Sequence, residues 1–277
     1  MKKLLKEWIP PIILRAYRGY RADTIRYQGD FPDWASAQAA SMGYDSEVIF
    51  QKTRLAALRV KKGEAVYERD SVVFDHVEYS FPVLAGLLRA VETRARTLRV
   101  LDIGGGFGTT YRQFKAFGAP LESLRWSIVE QPRFVASGRA EFADEELRFF
   151  YSITEAVEDE IPDVVLLSSM LQYVDNPYSI IKEACSVGSR SIVIASTPCA
   201  TTARNVLTVQ VVPASIYEAS YPCWIFSKAK LLAAFLPHYR LVASFEEPGG
   251  PWRCDQGLFE FCGFVFDKNS SSYSYAG

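Results

Sequence analysis

The sequence is poor in the residues that build metal sites and disulfide frameworks. It holds two histidines and five cysteines in 277 residues. The cysteines are odd in number and form no CxxC pair, which argues against structural zinc and against a set of disulfides. No cluster of His and carboxylates has metal-ligand spacing, so we expect no metal. A reducing cytoplasm fits this cysteine usage best.

Excess charge and long apolar runs are also missing. Lys and Arg number 31 against 32 Asp and Glu, so no strongly basic surface is expected to bind nucleic acid. No apolar run approaches the roughly 18 residues that span a bilayer. With 49% apolar residues, the chain is typical of a globular protein, and its near-neutral charge favours a small or neutral partner. The sequence carries no sign of oligomeric state.

Residues 1–26 combine seven basic residues with interleaved Leu, Ile and Trp. Pro10 and Pro11 interrupt the apolar pattern and no small-residue cleavage site follows, so a signal peptide is not expected. Two interpretations stay open. One is a helix that packs on its own domain; the other is a basic amphipathic helix in peripheral contact with the inner face of the membrane.

The pattern divides the chain into a helical N-terminal cap (1–94), a second domain (95–268) and a disordered tail (269–277). From Phe31 to Glu92 we expect helices and no sheet. The second domain alternates β-branched runs with amphipathic stretches, which predicts an α/β fold with a mostly parallel sheet and helices on both faces. Five candidate strands come first: Leu98–Ile103, Arg125–Val129, Leu147–Tyr151, Asp163–Leu167 and Ser191–Ala195. Tyr239–Phe245 and Leu258–Phe266 follow without a helix between them and should pair antiparallel.

A glycine-rich loop follows the first candidate strand. Gly104, Gly106 and Gly108 stand where open α/β sheets bind ligands, and they allow a ligand to approach the backbone. Glu130 ends the next strand at the spacing where a carboxylate accepts both hydroxyls of a ribose. A dinucleotide fingerprint would need glycine at position 109, which is Thr109. A nicotinamide cofactor is therefore disfavoured, and a glycine turn without a ligand leaves the clustered glycines unexplained.

The spacing Asp102-x-Gly104-x-Gly106-x-Gly108 resembles the loop of class I S-adenosylmethionine-dependent methyltransferases. Four further segments resemble a bacterial methyltransferase family found among genes for surface polysaccharide and lipopolysaccharide assembly: Glu68–Ser71, Val129–Gln131, Ser168–Tyr173 and Val209–Phe226. The likeness covers roughly residues 25–265. It implies a Rossmann-like class I methyltransferase fold with an N-terminal helical cap and a C-terminal antiparallel hairpin, and S-adenosyl-L-methionine as cofactor.

Carried over residue by residue, the resemblance implies a cofactor site. Asp102 would lie near the cofactor's amino group, and Glu130 would hold the ribose. Ser168 and Ser169 would face the methionine carboxylate or the reacting methyl. The remaining candidates are Gly104, Gly105, Gly106, Gly108, Thr109, Gln131 and Ser152. Many class I enzymes place an Asp after the third strand to bind adenine; this chain has Tyr151–Thr154 there, with Ser152 as its candidate.

An oxygen nucleophile needs a base to remove its proton. Asp70, His76 and Tyr221 are the catalytic candidates, with Asp75 and Tyr79 as alternatives from the same stretch as His76. The alternative for Arg69 and Asp70 is a surface ion pair or a helix cap. His238 is expected in a surface turn.

Aromatic and polar residues predict an acceptor pocket. Tyr217, Tyr221 and Trp224 form either core packing or a wall for a sugar or aromatic acceptor. Gln210 and Arg204 would add hydrogen bonds, and Tyr173 and Arg69 are further substrate-binding candidates. We expect the segments Val209–Phe226 and Arg69–Tyr79 to converge over the carboxyl ends of the first and fourth candidate strands.

These features predict a methyltransferase of the EC 2.1.1 class that methylates a sugar hydroxyl of a cell-surface glycan or its precursor. Two alternatives stay open: methylation of a peptide or natural-product intermediate, and a catalytically inactive methyltransferase-fold binding module.

Overall fold

The computed structural model describes residues 24–42, 46–69, 71–213 and 219–269. The fold is α/β with a mixed sheet, as the alternation of strands and helices predicted. Residues 1–23 and 270–277, which carry most of the membrane hypothesis and of the predicted tail, lie outside the described residues. None of the helices described has both the length and the apolar character needed to cross a membrane.

The segment before residue 95 contains strands as well as helices. Its helices are α1 (Trp34–Ala39), α2 (Ser46–Lys61) and α3 (Phe81–Arg89). Its strands are β1 (Arg26–Gln28), β2 (Tyr67–Arg69) and β3 (Val72–Phe74), the last two forming an antiparallel hairpin. The expectation of helices and no sheet between Phe31 and Glu92 is therefore wrong, because strands of three residues are too short to show alternation.

The middle of the sheet is parallel. Its strands stand in the order β6-β5-β4-β7-β8, and their bounds are β4 (Thr97–Ile103), β5 (Ser123–Val129), β6 (Leu147–Phe150), β7 (Val164–Ser168) and β8 (Ser191–Ala200). All five candidate strands are confirmed. The chain starts in the centre with β4, moves out to β6 and returns to β7, so the topological switch point lies between β4 and β7. Ligands of open α/β sheets bind at such a point.

Helices cover both faces of this parallel region, as predicted. On β7, Val164 and Leu166 point to one face, while Val165 and Leu167 point to the other. The first face packs against α3 and two helices that follow β4 and β5, α4 (Thr109–Phe117) and α5 (Pro132–Glu141). The second packs against α6 (Ile153–Asp159), α7 (Pro177–Ser186) and α8 (Lys228–Phe235).

Beyond β8 the sheet is mostly antiparallel. β9 (Val206–Val212) and β10 (Ala219–Ser227) form an antiparallel ribbon that β1 extends, while β10 pairs with β8 in parallel at Phe226 and Ser227. Sequence analysis left Val209–Phe226 without assigned strands. Nearly every residue of β9 and β10 is buried, so the alternation that marks a half-buried strand is missing.

The C-terminal strands pair as expected. β11 (Tyr239–Glu246) and β13 (Gly257–Lys268) are antiparallel, and β13 also pairs antiparallel with β8. β11 therefore runs in the same direction as β4, β7 and β8, and its carboxyl end reaches the same edge of the sheet. The connection between β11 and β13 contains one short strand, β12 (Trp252–Cys254).

Close packing of α5 on β6 supplies a test of the fold. A Cβ at Gly138 would lie 2.4 Å from the Phe149 ring. Alanine is a better helix former than glycine by about 1 kcal/mol. We nevertheless expect Gly138→Ala to lower the free energy of unfolding by about 1 to 3 kcal/mol, the cost of overpacking a core. Urea unfolding measures it, and Phe149→Leu in the same background should recover part of the loss. A stabilised Gly138→Ala variant would contradict this packing.

Candidate functional site

The glycine loop connects β4 to α4 at the switch point. Gly104, Gly106 and Gly108 have φ angles of 77°, 56° and 90°, which side chains other than glycine rarely adopt. A Cβ at Gly104 would lie 2.7 Å from Cβ of Met170, so the loop runs against the turn after β7. A Cβ at Gly106 would meet nothing within 4 Å. The loop is therefore held at its start and open to a ligand at Gly106.

Asp102 lies beneath this loop. Its side chain is 1% exposed, and its Oδ2 accepts a hydrogen bond of 3.0 Å from the indole Nε1 of Trp126. A Cβ at Gly105 would lie 2.5 Å from the same oxygen. Burial raises the pKa of Asp102 to about 7, the Trp126 hydrogen bond opposes the rise, and the charge of Glu130 adds to it. Asp102, expected beside the cofactor's amino group, thus supports the loop from the core side.

The raised pKa predicts a pH-dependent stability. The ordinary carboxyl pKa is 3.8, so between about pH 4 and pH 7 the folded chain holds this proton more tightly than the unfolded chain does. The contribution of Asp102 to the free energy of unfolding is complete below about pH 4 and is lost as pH rises to about 7. Asp102→Asn keeps an oxygen that accepts from Trp126, and it cannot ionise, so it removes this pH-dependent loss of stability. We expect its free energy of unfolding, relative to the original chain, to rise across the window by up to about 1.4 kcal/mol per pKa unit.

Urea unfolding of both chains at several pH values measures the difference. Parallel stability curves would contradict the assignment of a buried, proton-binding Asp102.

Glu130 lies opposite the loop. Its Oε1 accepts from the backbone N–H of Gly106 at 3.4 Å, and its Oε2 accepts from that of Gln131 at 2.7 Å. Burial raises the pKa of Glu130, while these two N–H groups oppose the rise. Gln131 itself is exposed and precedes α5. Ser152 is also exposed, and its hydroxyl caps α6 by accepting from Glu155 N.

Sequence analysis missed Glu68, which fastens the β2–β3 hairpin to the loop. Glu68 is 2% exposed and accepts hydrogen bonds from Thr109 Oγ1 and, at 2.8 Å, from Arg112 Nη2. The hydroxyl of Thr109, a cofactor candidate, therefore donates its hydrogen bond to the hairpin. Glu68 stands in the segment Glu68–Ser71 that carried the family resemblance, which was the one signal for it.

A polar cluster lies at the carboxyl end of β7 and at the neighbouring middle part of β8. Ser168 is paired with Ala195, and Ser169 donates its backbone N–H to the Ala195 carbonyl at 3.0 Å. Gln172, fully buried, donates from Nε2 to Ser169 Oγ at 3.3 Å and to the Ser196 carbonyl at 3.1 Å. Its Oε1 has no hydrogen-bond partner among the residues described. Sequence analysis identified the two serines and missed Gln172 and Ser196.

Three predicted acceptor residues meet in one network. The Tyr173 hydroxyl donates to Gln210 Oε1 at 3.0 Å, and Gln210 Nε2 donates to the Tyr221 hydroxyl at 3.3 Å. The two tyrosine rings pack edge to face at 5.4 Å. Tyr173 follows β7, while Gln210 and Tyr221 stand opposite each other on β9 and β10. The β9–β10 ribbon thus reaches the turn that also holds Ser169 and Gln172.

Trp224 and Arg204 contact other parts of the molecule. The Trp224 indole donates to the Val174 carbonyl at 3.1 Å and stacks on Trp34 at 6.4 Å. Arg204 pairs with Asp30, with Nη1 at 2.9 Å from Oδ1, and makes no recorded bond to the tyrosine network. Tyr217 lies outside the described residues.

Arg69 and His76 pair with carboxylates of their own stretch, Arg69 to Tyr79, while Tyr79 packs on Phe117 and the Glu78 carbonyl accepts from Gln113. His76 is 65% exposed, and its Nδ1 lies 2.7 Å from Asp75 Oδ1. Arg69 pairs with Glu78 at 2.8 Å, the surface ion pair considered as its alternative role. Asp70 lies outside the described residues. No contact recorded for His76 reaches the tyrosine network, so its role as base, and the convergence of this stretch with Val209–Phe226, stay predictions.

Helix α2 contacts both the glycine loop and the β9–β10 ribbon. Phe50 packs on Phe107 of the glycine loop, with ring centroids 5.9 Å apart. The preceding residue, Ile49, packs with Tyr221 and with its neighbours on the β9–β10 ribbon. One turn of α2 therefore contacts both the loop and the ribbon, and it joins the two halves of the candidate site.

A cavity of about 600 Å³ lies elsewhere, at the amino end of the parallel strands. Its lining includes Arg89, Arg190, Arg240, Lys268 and Asp267, and none of the predicted site residues. Arg190 donates to the Ala90 carbonyl after α3, and Lys268 donates to the Gly188 carbonyl after α7. These cations complement the carboxyl ends of helices, where positive charge stabilises. Among the described residues, no group of three or more His, Cys, Asp or Glu is arranged to hold a metal ion.

No protein-family description and no curated protein sequence matches this chain. Solved structures of methyltransferases resemble it at low identity. One is the 1,6-didemethyltoxoflavin-N1-methyltransferase of Burkholderia thailandensis with S-adenosylhomocysteine bound, at 15% identity and a TM-score of 0.44, covering 83% of this chain and 92% of the other.

Two further structures are similar to the same degree. The N-terminal domain of EvdMO1 with S-adenosylhomocysteine bound has 14% identity and a TM-score of 0.46, covering 78% of this chain and 97% of the other. Magnesium protoporphyrin IX methyltransferase from Synechocystis PCC 6803 with S-adenosylmethionine bound has 11% identity and a TM-score of 0.43, covering 82% and 99%. At these scores the likeness identifies neither a family nor a substrate.

Proposed function

We propose that the protein is an S-adenosyl-L-methionine-dependent O-methyltransferase of the class I fold. The observation that carries this proposal is the glycine loop at the switch point, open at Gly106, with the Glu130 carboxylate on the backbone of that same residue. The reversed strand β13 between β8 and β11 supports it, since it matches the C-terminal hairpin that the class I resemblance implies.

The residues present fit this cofactor. The open face at Gly106 leaves room for the ligand, and Glu130 carries the two carboxylate oxygens that would accept the ribose hydroxyls. Asp102 would keep the loop in place from below, and Ser152 stays the candidate for the adenine contact. When bound, the cofactor supplies an electrophilic methyl group on a sulfonium. The chain's own task is then to align the acceptor with that methyl and to exclude water. Helix α2 favours this by packing on both the loop and the ribbon.

For the acceptor we propose a sugar hydroxyl of a cell-surface glycan or its precursor. The network of Tyr173, Gln210 and Tyr221, in which Tyr173 is partly exposed, supports it, because aromatic faces with hydroxyl and amide groups suit a ring that carries hydroxyls. The family resemblance points to the same acceptor class. A peptide or natural-product intermediate would suit such a surface too, and an inactive binding module is the third candidate. A cytoplasmic location, with peripheral membrane contact through residues 1–26, belongs to the same proposal.

Calorimetry tests the cofactor. We expect S-adenosylmethionine and S-adenosylhomocysteine to bind and NAD not to bind. Glu130→Ala should weaken cofactor binding by about 1.5 to 3 kcal/mol, the range for a hydrogen bond to a charged group. Glu158→Ala, an exposed carboxylate on α6, is the control and should leave affinity unchanged. Binding of NAD alone would overturn the cofactor, and unchanged affinity in a folded Glu130→Ala variant would remove Glu130 from the site.

Transfer of a labelled methyl group into a panel of glycans, peptides and small natural products tests the reaction. Tyr221→Phe keeps the ring and removes the hydroxyl, so we expect about two- to tenfold slower transfer with cofactor affinity retained. Tyr239→Phe is the matched control, because Tyr239 is also buried and donates to the Ser189 carbonyl at the far edge of the sheet. Equal loss in both variants would indicate a general effect on stability. A chain that binds the cofactor and transfers no methyl to any member of the panel favours the binding module.

A further inference from the structure

A carboxylate that sequence analysis did not consider stands at the acceptor side of the candidate site. Glu247 directly follows β11 and is half-buried. The Ser196 hydroxyl donates to its Oε1 at 2.5 Å, and its backbone N–H donates to the Phe261 carbonyl at 2.9 Å. Because β11 runs in the same direction as β7 and β8, Glu247 emerges at the carboxyl edge, where the glycine loop also lies.

Ser196 ties Glu247 to the polar cluster after β7. Ser168 is level with Ala195, so Ser196 is the next residue beyond that pair on β8. The Ser196 carbonyl accepts from Gln172, which also bonds to Ser169. Ser196 and Gln172 thus connect Glu247 to Ser169, one of the two serines that the class I resemblance places near the reacting methyl.

The backbone in this cluster is strained. Ser169 and Ser196 have φ angles of 53° and 50°, a region where residues other than glycine are uncommon. Such strain costs of order 1 to 3 kcal/mol and gathers at functional sites. Gln172 Oε1, buried and without a partner among the described residues, adds a second cost in the same place. A cluster with no function would have little reason to keep both.

Glu247 differs in its side-chain partner from the three carboxylates described near the glycine loop. Glu68 is paired with Arg112, Asp102 lies below the loop against Trp126, and Glu130 bonds to two backbone N–H groups. The recorded side-chain partner of Glu247 is a neutral hydroxyl. An acceptor hydroxyl could approach the carboxylate beside Ser196, since a carboxylate accepts several hydrogen bonds.

We infer that Glu247 is the general base of the transfer and that Ser196 is the residue that positions it. This inference rests on the methyltransferase function proposed above. The acceptor O–H gives its proton to the Glu247 carboxylate, and an oxygen lone pair forms the new O–C bond to the methyl carbon. The C–S bond breaks, its electron pair stays on sulfur, and the sulfonium becomes a thioether.

Glu247→Gln tests the inference in the full-length chain, with the acceptor that the labelled-methyl panel identifies. We expect methyl transfer to fall about a hundredfold or more, the scale of general-base catalysis, with the dissociation constant for S-adenosylhomocysteine changed less than twofold. Glu246→Gln is the matched control, because Glu246 is the exposed neighbouring carboxylate and should keep full activity. Ser196→Ala should reduce transfer by about tenfold, since it removes only the partner of the base.

Added formate separates a base from a structural carboxylate. Transfer by Glu247→Ala should recover partly with formate, whereas a loss of packing would not respond. Full activity in Glu247→Gln, or a defect that formate leaves unchanged in a folded variant that binds S-adenosylhomocysteine, would overturn the role of Glu247 and leave the transferase function intact. No transfer by the unaltered chain to any acceptor would instead overturn the transferase function, and this inference with it.

Discussion

The candidate site depends on the contact between the glycine loop and the carboxylate buried beneath it. Asp102 can lie against Trp126 only because the residue above it, Gly105, has no side chain. On the side of β7, a Cβ at Gly104 would lie 2.7 Å from Met170, so this position also has no room for a side chain. The loop is thus fixed from below and from one side, which leaves its remaining face at Gly106 free. Glu130 accepts a hydrogen bond from the backbone of that same residue, so the geometry of the candidate site follows from the packing of the loop.

A second set of elements encloses the space above the loop. The β9–β10 ribbon carries Gln210 and Tyr221 into a buried region, where unpaired polar groups would be costly. Tyr173 completes their hydrogen bonds. Helix α2 packs on this ribbon through Ile49 and on the loop through Phe50. The glycine loop and the β9–β10 ribbon are therefore joined by apolar contacts of α2, and the turn after β7 adds polar contacts to the ribbon.

Local pattern was enough to predict the parallel half of the molecule. Strands β4 to β8 are short runs of β-branched and apolar residues that end at turn residues, and the glycine loop and Glu130 follow two of them directly. The β9–β10 ribbon could not be predicted in this way, because it is covered on both faces and shows no alternation. Glu247 could not be predicted as a site residue either, because its contact with Ser196, 51 residues away in the sequence, depends on how the strands pair. Glu68 likewise reaches Thr109 over 41 residues.

The predicted boundary at residue 94 runs through a shared core. Phe50, Val83, Leu84 and Leu87 belong to the same buried cluster as Phe107 and Trp126. Glu68 is the carboxylate partner of Arg112 on α4, the first helix of the predicted second domain. A chain that began at residue 95 would expose an aromatic surface beside the glycine loop and leave that guanidinium without its counter-charge. The N-terminal segment is therefore part of the scaffold on which the loop folds, and trimming the chain to the α/β domain would remove part of the buried core that supports the loop.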